Sequence, residues 1–323
     1  MTYLKRLTVF ALLVSAVLWL MNTSRFTPAT DADPLLLSHR GVHQTHSTAP
    51  RDGSACTAKH IDPPSHSFIE NTIPSMQAAI LAGANVIELD VHMTPEGVLA
   101  VFHDWTLDCR TDGTGVTEKA SFDVLQTLDV GYGYSADGVT YPLRGQGVGL
   151  MPSLTQVLDA NLGARYLVNF KSRNADEGTA LAELLTNPDF RAQIWGVYGG
   201  SEPTHAAIRA VPGLAGFDKG DIKRCLGHYM ALGWAGYVPD ACRNTIVGVP
   251  QNVAPYVWGW PHRFTQRMAN VGTQVILWGP YDGTGFSSGV DTAAAADKIP
   301  QGFDGYVWTN KIETIGPYLR GTN

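Results

Sequence analysis

The sequence predicts an α/β protein, a closed (β/α)8 TIM barrel with long loops at its C-terminal face. Three observations support this: short apolar runs alternate with helical patterns, about eight such runs follow the leader, and residues 31–323 suffice for eight units. Alternating strands and helices build a parallel sheet that is buried on both faces. Eight βα units suit a closed barrel, with an open, doubly wound sheet as the alternative.

The predicted strands are short apolar runs, several of them bounded by Gly, Pro, Asn or Asp. They cover 34–41, 85–93, 98–104, 165–172, 194–200, 213–220, 273–280 and 302–310. Helical patterns cover 72–84, 153–162, 175–185, 202–211 and 221–233, the first with Asn71 or Thr72 as N-cap. The segments 42–69 and 110–150 are too long for simple connections, so we expect them to carry function. The aromatic-rich 237–264 fits no simple βα unit; we interpret it as a packed excursion on the barrel wall, with a rim that grips substrate as the alternative.

The N-terminus differs from the rest of the chain. Lys5 and Arg6 precede the apolar run Leu7 to Met21, the plan of a secretory signal or a membrane anchor. We therefore expect a signal or anchor over residues 1–30 and a barrel over 31–323 that lies outside the cytoplasm, periplasmic, extracellular or membrane-anchored. Whether "TPATDAD" marks a cleavage site stays open, and a buried N-terminal helix is the alternative.

Composition narrows the class of function. The chain is 44% hydrophobic and 16% charged with a net charge of −6, and it lacks the basic runs typical of nucleic-acid binding.

Its cysteines are even in number, which in an exported chain suggests disulfides, although three pairings are open. They are Cys56, Cys109, Cys225 and Cys242.

Two carboxylates interrupt the strand "NVIELDVHM". Side chains alternate along a strand, so Glu88, Asp90 and His92 share one face, and the two carboxylates lie roughly 7 Å apart at their Cα atoms. Such a pair repels unless it is compensated. Oxygen ligands favour Ca²⁺ or Mg²⁺, while neutralisation by Arg or Lys is the alternative.

Other polar side chains end the neighbouring strands. "SHRG" places His39 and Arg40 at one strand tip, "FHD" places His103 at another, and Asn169 and Lys171 share one face of a third. Two histidines can act as general acid and base, and Arg and Lys suit a phosphate. Together with a metal, this set predicts phosphodiester cleavage.

Several motifs resemble those of the glycerophosphodiester phosphodiesterase family. They are "SHRG", "IENT", "VIELDVHMTPEG", "AVFHDWTLDCRTDGTG", "MPSLTQVL" and, at the last strand, "FDGYVWTN". The resemblance implies a metal-dependent barrel that cleaves glycerophosphodiesters to glycerol 3-phosphate and an alcohol. It implies His39 and His103 as the acid–base pair, Glu88 and Asp90 as metal ligands, and a substrate-binding set of Arg40, Lys171, Glu70 as the orienter of Arg40, and Trp278.

The sequence departs from the family pattern at two places. The position of a third acidic metal ligand holds Asn169, whose amide oxygen can ligate without charge. The stretch between Arg40 and Glu70 is long, and its four histidines leave a second zinc site as an alternative; they are His43, His46, His60 and His66.

We expect Cys56–Cys109 and Cys225–Cys242 as the disulfides, the first bridging loops over the same mouth.

The other functions considered are a lysophospholipase D- or sphingomyelinase D-like lipid phosphodiesterase and a catalytically weak barrel that binds phosphodiester lipids or cell-wall polymers.

Overall fold

The computed structural model describes residues 2–27, 33–47, 55–283 and 288–321. Its strands are β1 Leu35–His39, β2 Val86–Met93, β3 Leu99–Val101, β4 Arg165–Phe170, β5 Ile194–Gly199, β6 Gly216–Phe217, β7 Ile246–Pro250, β8 Gln274–Trp278 and β9 Tyr306–Thr309. Its α-helices are α1 Thr2–Asn22, α2 Ile73–Leu81, α3 Phe122–Leu125, α4 Leu154–Asp159, α5 Ala175–Leu184, α6 Pro188–Gln193, α7 Ser201–Ala210, α8 Lys219–Leu232, α9 His262–Ala269, α10 Ala293–Ala296 and α11 Ile312–Leu319.

Eight parallel strands form a nearly closed barrel, as predicted. Their order around the sheet is β6-β5-β4-β2-β1-β9-β8-β7. In the described residues, β6 and β7 are the two ends of this strand order. They are joined by a side-chain hydrogen bond, which the Thr245 hydroxyl donates to the Gly216 carbonyl at 2.8 Å. The two-residue length of β6 explains the gap, because so short a strand offers few backbone groups to a second neighbour.

Two strand assignments were wrong, and the errors cancel in the count. Segment 98–104 is not a barrel strand: β3 pairs antiparallel with β2 as a hairpin beside the barrel. The 237–264 stretch is not merely an excursion, since β7 lies inside it and pairs with β8. Its apolar run, Ile246 to Val249, is short, and the aromatic residues that follow it drew attention away from the strand.

Alternation along the strands separates two apolar layers. Ile87, Leu89 and Val91 join the outer layer under the helices, whereas Val86 packs inside the barrel. Glu88 and Asp90 therefore continue the inner face toward the C-terminal end of β2. The interior layer below them is made of Leu37, Val86, Leu167, Trp195, Phe217, Ile246, Ile276, Tyr306 and Trp308.

The two long segments pack together as a cap. Ala58, Ile61 and Ile69 from the first share an apolar cluster with Leu125 and Tyr134 from the second. The predicted disulfide Cys56–Cys109 is confirmed and ties the first segment to the residue just before the second. Cys225–Cys242 is confirmed too, and joins α8 to the turn that precedes β7.

Candidate active site

The predicted site residues meet at the C-terminal ends of β1, β2 and β4. Parallel pairing sets His39 opposite Glu88 and Asp90 opposite Asn169, so side chains on the inner face of three strands converge. Lys171 follows β4, and its Nζ lies 3.6 Å from Asp90 Oδ1. The mouth of the barrel thus holds the polar cluster that the sequence predicts.

Asp90 is surrounded by donors. Its Oδ1 accepts a hydrogen bond from Asn169 Nδ2 at 2.8 Å, and its Oδ2 accepts one from Asn71 Nδ2 at 3.0 Å. Arg40 Nε lies 3.1 Å from Oδ2. Although burial acts in the other direction, Arg40 and then Lys171 hold the pKa of Asp90 well below its usual range. Asp90 is therefore an ionised carboxylate with compensated charge.

Glu88 is the opposite case. It is fully buried, and it accepts hydrogen bonds from the Tyr198 hydroxyl at 2.8 Å and from the Arg40 backbone amide at 3.2 Å. Within the described residues its one ion-pair partner is His39, at 3.8 Å. Burial and then the Asp90 carboxylate raise the pKa of Glu88 to about 8. Among the described residues, Glu88 has no arginine or lysine side chain paired with it as Asp90 has.

Each of the two predicted catalytic histidines is oriented by an acceptor on Nδ1. His39 Nδ1 lies 2.7 Å from Asn310 Oδ1, and His103 Nδ1 lies 2.6 Å from Asp104 Oδ1. A carbonyl or carboxylate oxygen can only accept, so Nδ1 carries the proton and Nε2 keeps its lone pair. Burial, followed by the charge of Arg40, lowers the pKa of both histidines well below 6.5. In each ring Nε2 is therefore the nitrogen that can take up a proton.

A chain of buried charges lies behind the histidines. Glu70 accepts from Arg40 Nη1 at 3.0 Å and from Arg110 Nη1 at 3.1 Å, and Arg110 Nε lies 3.0 Å from Asp104 Oδ2. Glu70 thus orients Arg40 and is linked through Arg110 to the partner of His103. Arg40 also adopts a left-handed backbone, with φ of 59°, a strain of roughly 1–3 kcal/mol that tends to occur at functional sites.

The stability that Glu70 provides should depend on pH. Burial alone would raise its pKa, but Arg110 and Arg40 lower it from 4.5 to about 2. A depressed carboxyl pKa stabilises the fold above the unfolded value, and that stability is lost as the pH falls from about 4.5 to 2. At pH 7 we expect the free energy of unfolding of Glu70→Gln to be about 3 kcal/mol lower than that of wild type. This difference should shrink toward zero as the pH falls to 2. Urea unfolding at several pH values measures it, and a constant difference would contradict the assignment.

Trp278 ends β8 at the rim of the same mouth, opposite Pro250 of β7. Its ring lies against Gly248, where a Cβ would come within 2.3 Å of the indole. Glycine at this position therefore lets the half-buried indole lie flat on the wall. The Trp278 ring lies 6.5 Å from the ring of Phe217, and its role as a wall of the substrate pocket stays a prediction.

The sequence did not predict four residues that contact the candidate site: Asn71, Arg110, Asn310 and Tyr198. Asn71 and Arg110 lie inside the quoted motifs "IENT" and "RTDGTG", and Asn310 ends "YVWTN", so the motifs held the signal for these three. Tyr198 ends an apolar strand and gave no signal. The alternative of a zinc site in the first loop is wrong for the described residues, because His43, His46, His60 and His66 bring no three ligand atoms together there. His66 Nδ1 instead lies 3.0 Å from Gln44 Nε2.

Groups that could hold a cation lie at and beside the mouth. Glu88 and Asp90 supply carboxylate oxygens, and Asn169 lies next to them with its Oδ1 turned toward Gly199. A second group, which the sequence did not suggest, comprises His92, Glu118 and Glu177, whose ligand atoms lie within 4.8 Å of one another.

Fold and site define a class: a (β/α)8 barrel whose mouth combines buried carboxylates with two histidines, an arginine and a lysine. Residues 39–189 match the model of the glycerophosphoryl diester phosphodiesterase family. Over these residues the chain is similar to that family.

Individual relatives agree. A glycerophosphodiester phosphodiesterase of Bacillus subtilis is 36% identical over 113 residues, which cover 34% of this chain and 38% of the relative. The first curated relatives are matched over 26–38% of their own length. Among solved structures, a glycerophosphoryl diester phosphodiesterase domain from Mycobacterium tuberculosis superposes with a TM-score of 0.61 at 18% identity, covering 89% of this chain and 99% of that one. A phosphodiesterase of Oleispira antarctica in complex with the product sn-glycerol-3-phosphate superposes with a TM-score of 0.55 at 17% identity. The match covers 89% of this chain and 97% of that one. The structural matches show a shared fold.

Proposed function

We propose that the chain hydrolyses glycerophosphodiesters to glycerol 3-phosphate and an alcohol, with His39 and His103 as the acid–base pair. The observation that carries the proposal is the arrangement of the two half-buried imidazoles around one charged mouth, each held at Nδ1 so that Nε2 keeps its lone pair. The family match and the product bound to the Oleispira relative support the substrate class.

The two histidines have different hydrogen-bond partners at Nδ1, and these suggest different catalytic roles. Asp104 stabilises a positive charge on His103, whereas the neutral amide of Asn310 gives His39 no such support. A bound phosphodiester adds negative charge, which raises both pKa values. We therefore assign His103 as the acid that protonates the leaving alkoxide and His39 as the base that removes a proton from the nucleophile.

Arg40 and Lys171 face the phosphate in this mechanism. Arg40 is buried, and Glu70 and Asp90 fix its guanidinium. Lys171 is less enclosed, with 17% of its side chain exposed. Both place positive charge where the phosphoryl oxygens gain negative charge in the transition state.

The carboxylates fit a divalent cation. Glu88 is a buried carboxylate without a basic side-chain partner other than His39 in the described chain, and its raised pKa reflects that deficit. Oxygen ligands of this kind favour Ca²⁺ or Mg²⁺. Glu88 and Asp90 would hold the ion, with Asn169 once its amide rotates to present Oδ1. When bound, the ion would supply further positive charge to the phosphate.

Asn169 should tune this affinity. It replaces an acid, so Asn169→Glu adds a negative ligand and should tighten Ca²⁺ or Mg²⁺ binding, while Asn169→Ala should weaken it. The glutamate variant also loses the hydrogen bond to Asp90, so its metal-free form should be less stable. Calorimetric titration with each ion, alongside activity at varied free metal, checks both effects. Three superimposable curves would mean that Asn169 is not a ligand.

A substrate panel tests the function itself. Glycerophosphocholine, glycerophosphoethanolamine, a lysophospholipid and sphingomyelin should be assayed with chelator and with added Ca²⁺ or Mg²⁺. We expect turnover of the glycerophosphodiesters, loss with chelator and recovery with metal. Preference for the lysolipid or sphingomyelin would favour the lipid phosphodiesterase, and binding without turnover would favour the weak binding barrel.

We also propose that the N-terminal helix stays attached as a membrane anchor. Tyr3–Asn22 is long and apolar enough to cross a membrane and is unburied. Its end is bound to the barrel: Asn22 Nδ2 donates to Trp234 O at 2.8 Å, and Arg267 donates to Asn22 Oδ1 at 3.1 Å and to Met21 O at 2.9 Å. Cleavage beyond Asn22 would remove these contacts. Lys5 and Arg6 favour a cytoplasmic N-terminus.

The anchor predicts membrane retention of the full-length chain. The protein should sediment with membranes, resist alkaline extraction and have the intact mass of an uncleaved chain. Leu12→Arg, which costs about 2.5–3.5 kcal/mol at a helix centre, should weaken insertion, whereas Arg209→Ala on the barrel surface should not. A soluble mature chain that begins after Asn22 would contradict the anchor.

A further inference from the structure

We propose that His92, Glu118 and Glu177 form a second cation site, suited to Zn²⁺, that is separate from Glu88 and Asp90. The three residues come from β2, from the turn Thr117–Lys119 and from α5. One ligand atom of each lies within 4.8 Å of the others. His92 Nδ1 and Glu118 Oε1 are only 3.1 Å apart, close to the spacing of two donors on one zinc ion.

The carboxylate of Glu177 is the independent indication of a ligand. The residue is 1% exposed. Its Oε1 accepts from the Met93 amide at 3.1 Å. The Ser172 hydroxyl lies nearby, but the buried Oε2 makes no hydrogen bond of normal geometry within the described chain. Leaving a buried carboxylate oxygen without a partner is unfavourable. A cation at this point would provide the missing partner.

The charge state of Glu177 is consistent with this interpretation. Burial raises its pKa to about 7, although the nearby Ser172 hydroxyl, the Met93 amide and His92 oppose the shift, and Glu118 adds to it. A divalent cation between Glu177, Glu118 and His92 would compensate the charge of the two carboxylates.

The donor set selects the type of ion. One imidazole nitrogen with two carboxylates is a poor set for Ca²⁺ or Mg²⁺, which prefer oxygen throughout, and a good one for Zn²⁺. Glu118 is the adaptable member, because 29% of its side chain is exposed. It can close the remaining gap while His92 and Glu177 stay fixed in the core.

The site would position the proposed acid. His92 Nε2 lies 3.3 Å from the His103 carbonyl oxygen. A metal on Nδ1 of His92 would fix the proton on Nε2 and strengthen that hydrogen bond. The ion would also join a cap turn and α5 to the end of β2. The assignment does not depend on the reaction catalysed at the mouth.

Zinc binding to the full-length protein in detergent tests the proposal without an activity assay. Bound zinc should be counted by elemental analysis after dialysis, and affinity measured by competition with a chromophoric chelator. The variants are Glu177→Gln, Glu118→Gln and, as matched controls, Glu88→Gln at the mouth and Asp221→Asn. Asp221 belongs to a half-buried group with His205 and Asp218 whose carboxylates already cap α8.

We expect Glu177→Gln and Glu118→Gln each to bind one zinc ion fewer per chain than wild type, or to bind zinc at least tenfold more weakly. Both controls should keep the zinc bound at His92, Glu118 and Glu177. Zinc should also raise the unfolding temperature of wild type and of Asp221→Asn but not of Glu177→Gln. Glu118→Gln, at a partly exposed position, keeps the test valid if Glu177→Gln fails to fold. Equal zinc content and affinity in wild type and Glu118→Gln, or a loss confined to the controls, would overturn the proposal.

Discussion

Replacing either histidine of the proposed acid–base pair by alanine should lower turnover of glycerophosphocholine by at least 10²–10⁴-fold, the usual contribution of general acid–base catalysis. His39 ends β1 and His103 follows β3. The His39 ring contacts the Trp308 ring at 5.1 Å, so His39→Ala should cost some stability, but both variants should fold. Initial rates at saturating metal, with circular dichroism to verify the fold, measure the effect.

His60→Ala is the matched control, because His60 is exposed in the cap and should be replaceable without loss. Added imidazole should partly restore the alanine variants if an imidazole nitrogen is what they lack. Near wild-type turnover in either alanine variant, with metal still bound, would show that the acid–base assignment is wrong.

Arg110→Ala should be the most destabilising single substitution of the charged network, by about 3–5 kcal/mol, the usual cost of removing one partner of a buried ion pair. Arg110 is 2% exposed. It bonds Glu70, the Tyr134 hydroxyl and the Thr57 hydroxyl, and it pairs with Asp104. Its loss leaves two carboxylates short of positive charge.

Urea unfolding of the full chain in mild detergent measures that loss. Arg209→Ala, an exposed arginine on α7, is the control and should change stability by no more than about 0.5 kcal/mol. A similar small change for Arg110→Ala would mean that the buried network does not contribute to stability as its geometry suggests.

Much of the architecture could be predicted because the pattern is local. A strand shows its two faces by alternation, so Glu88 and Asp90 could be placed inside the barrel from sequence alone. The hairpin strand β3 could not be distinguished from a barrel strand, because its apolar run carries no mark of its partner. The barrel strand β7 was not recognised, because its apolar run is short and lies in the 237–264 stretch, which fits no simple βα unit.

The sequence located several polar residues of the candidate site, but not the residues that hold them in place. Histidines at strand ends point to a site, but the acceptor that orients each one is set by the fold. Asn310 reaches His39 because β9 pairs with β1 across 271 residues of sequence. Glu177 reaches His92 because α5 packs beside the end of β2, and no spacing in the sequence shows that.

Product analysis of glycerophosphocholine turnover tests the central claim most directly. The full chain, supplied with Ca²⁺ or Mg²⁺, should release choline and glycerol 3-phosphate in equal amounts, as followed by phosphorus NMR and a choline assay. The His103→Ala variant should release neither at a comparable rate. Release of phosphocholine and glycerol, or no turnover with either metal, would contradict the account.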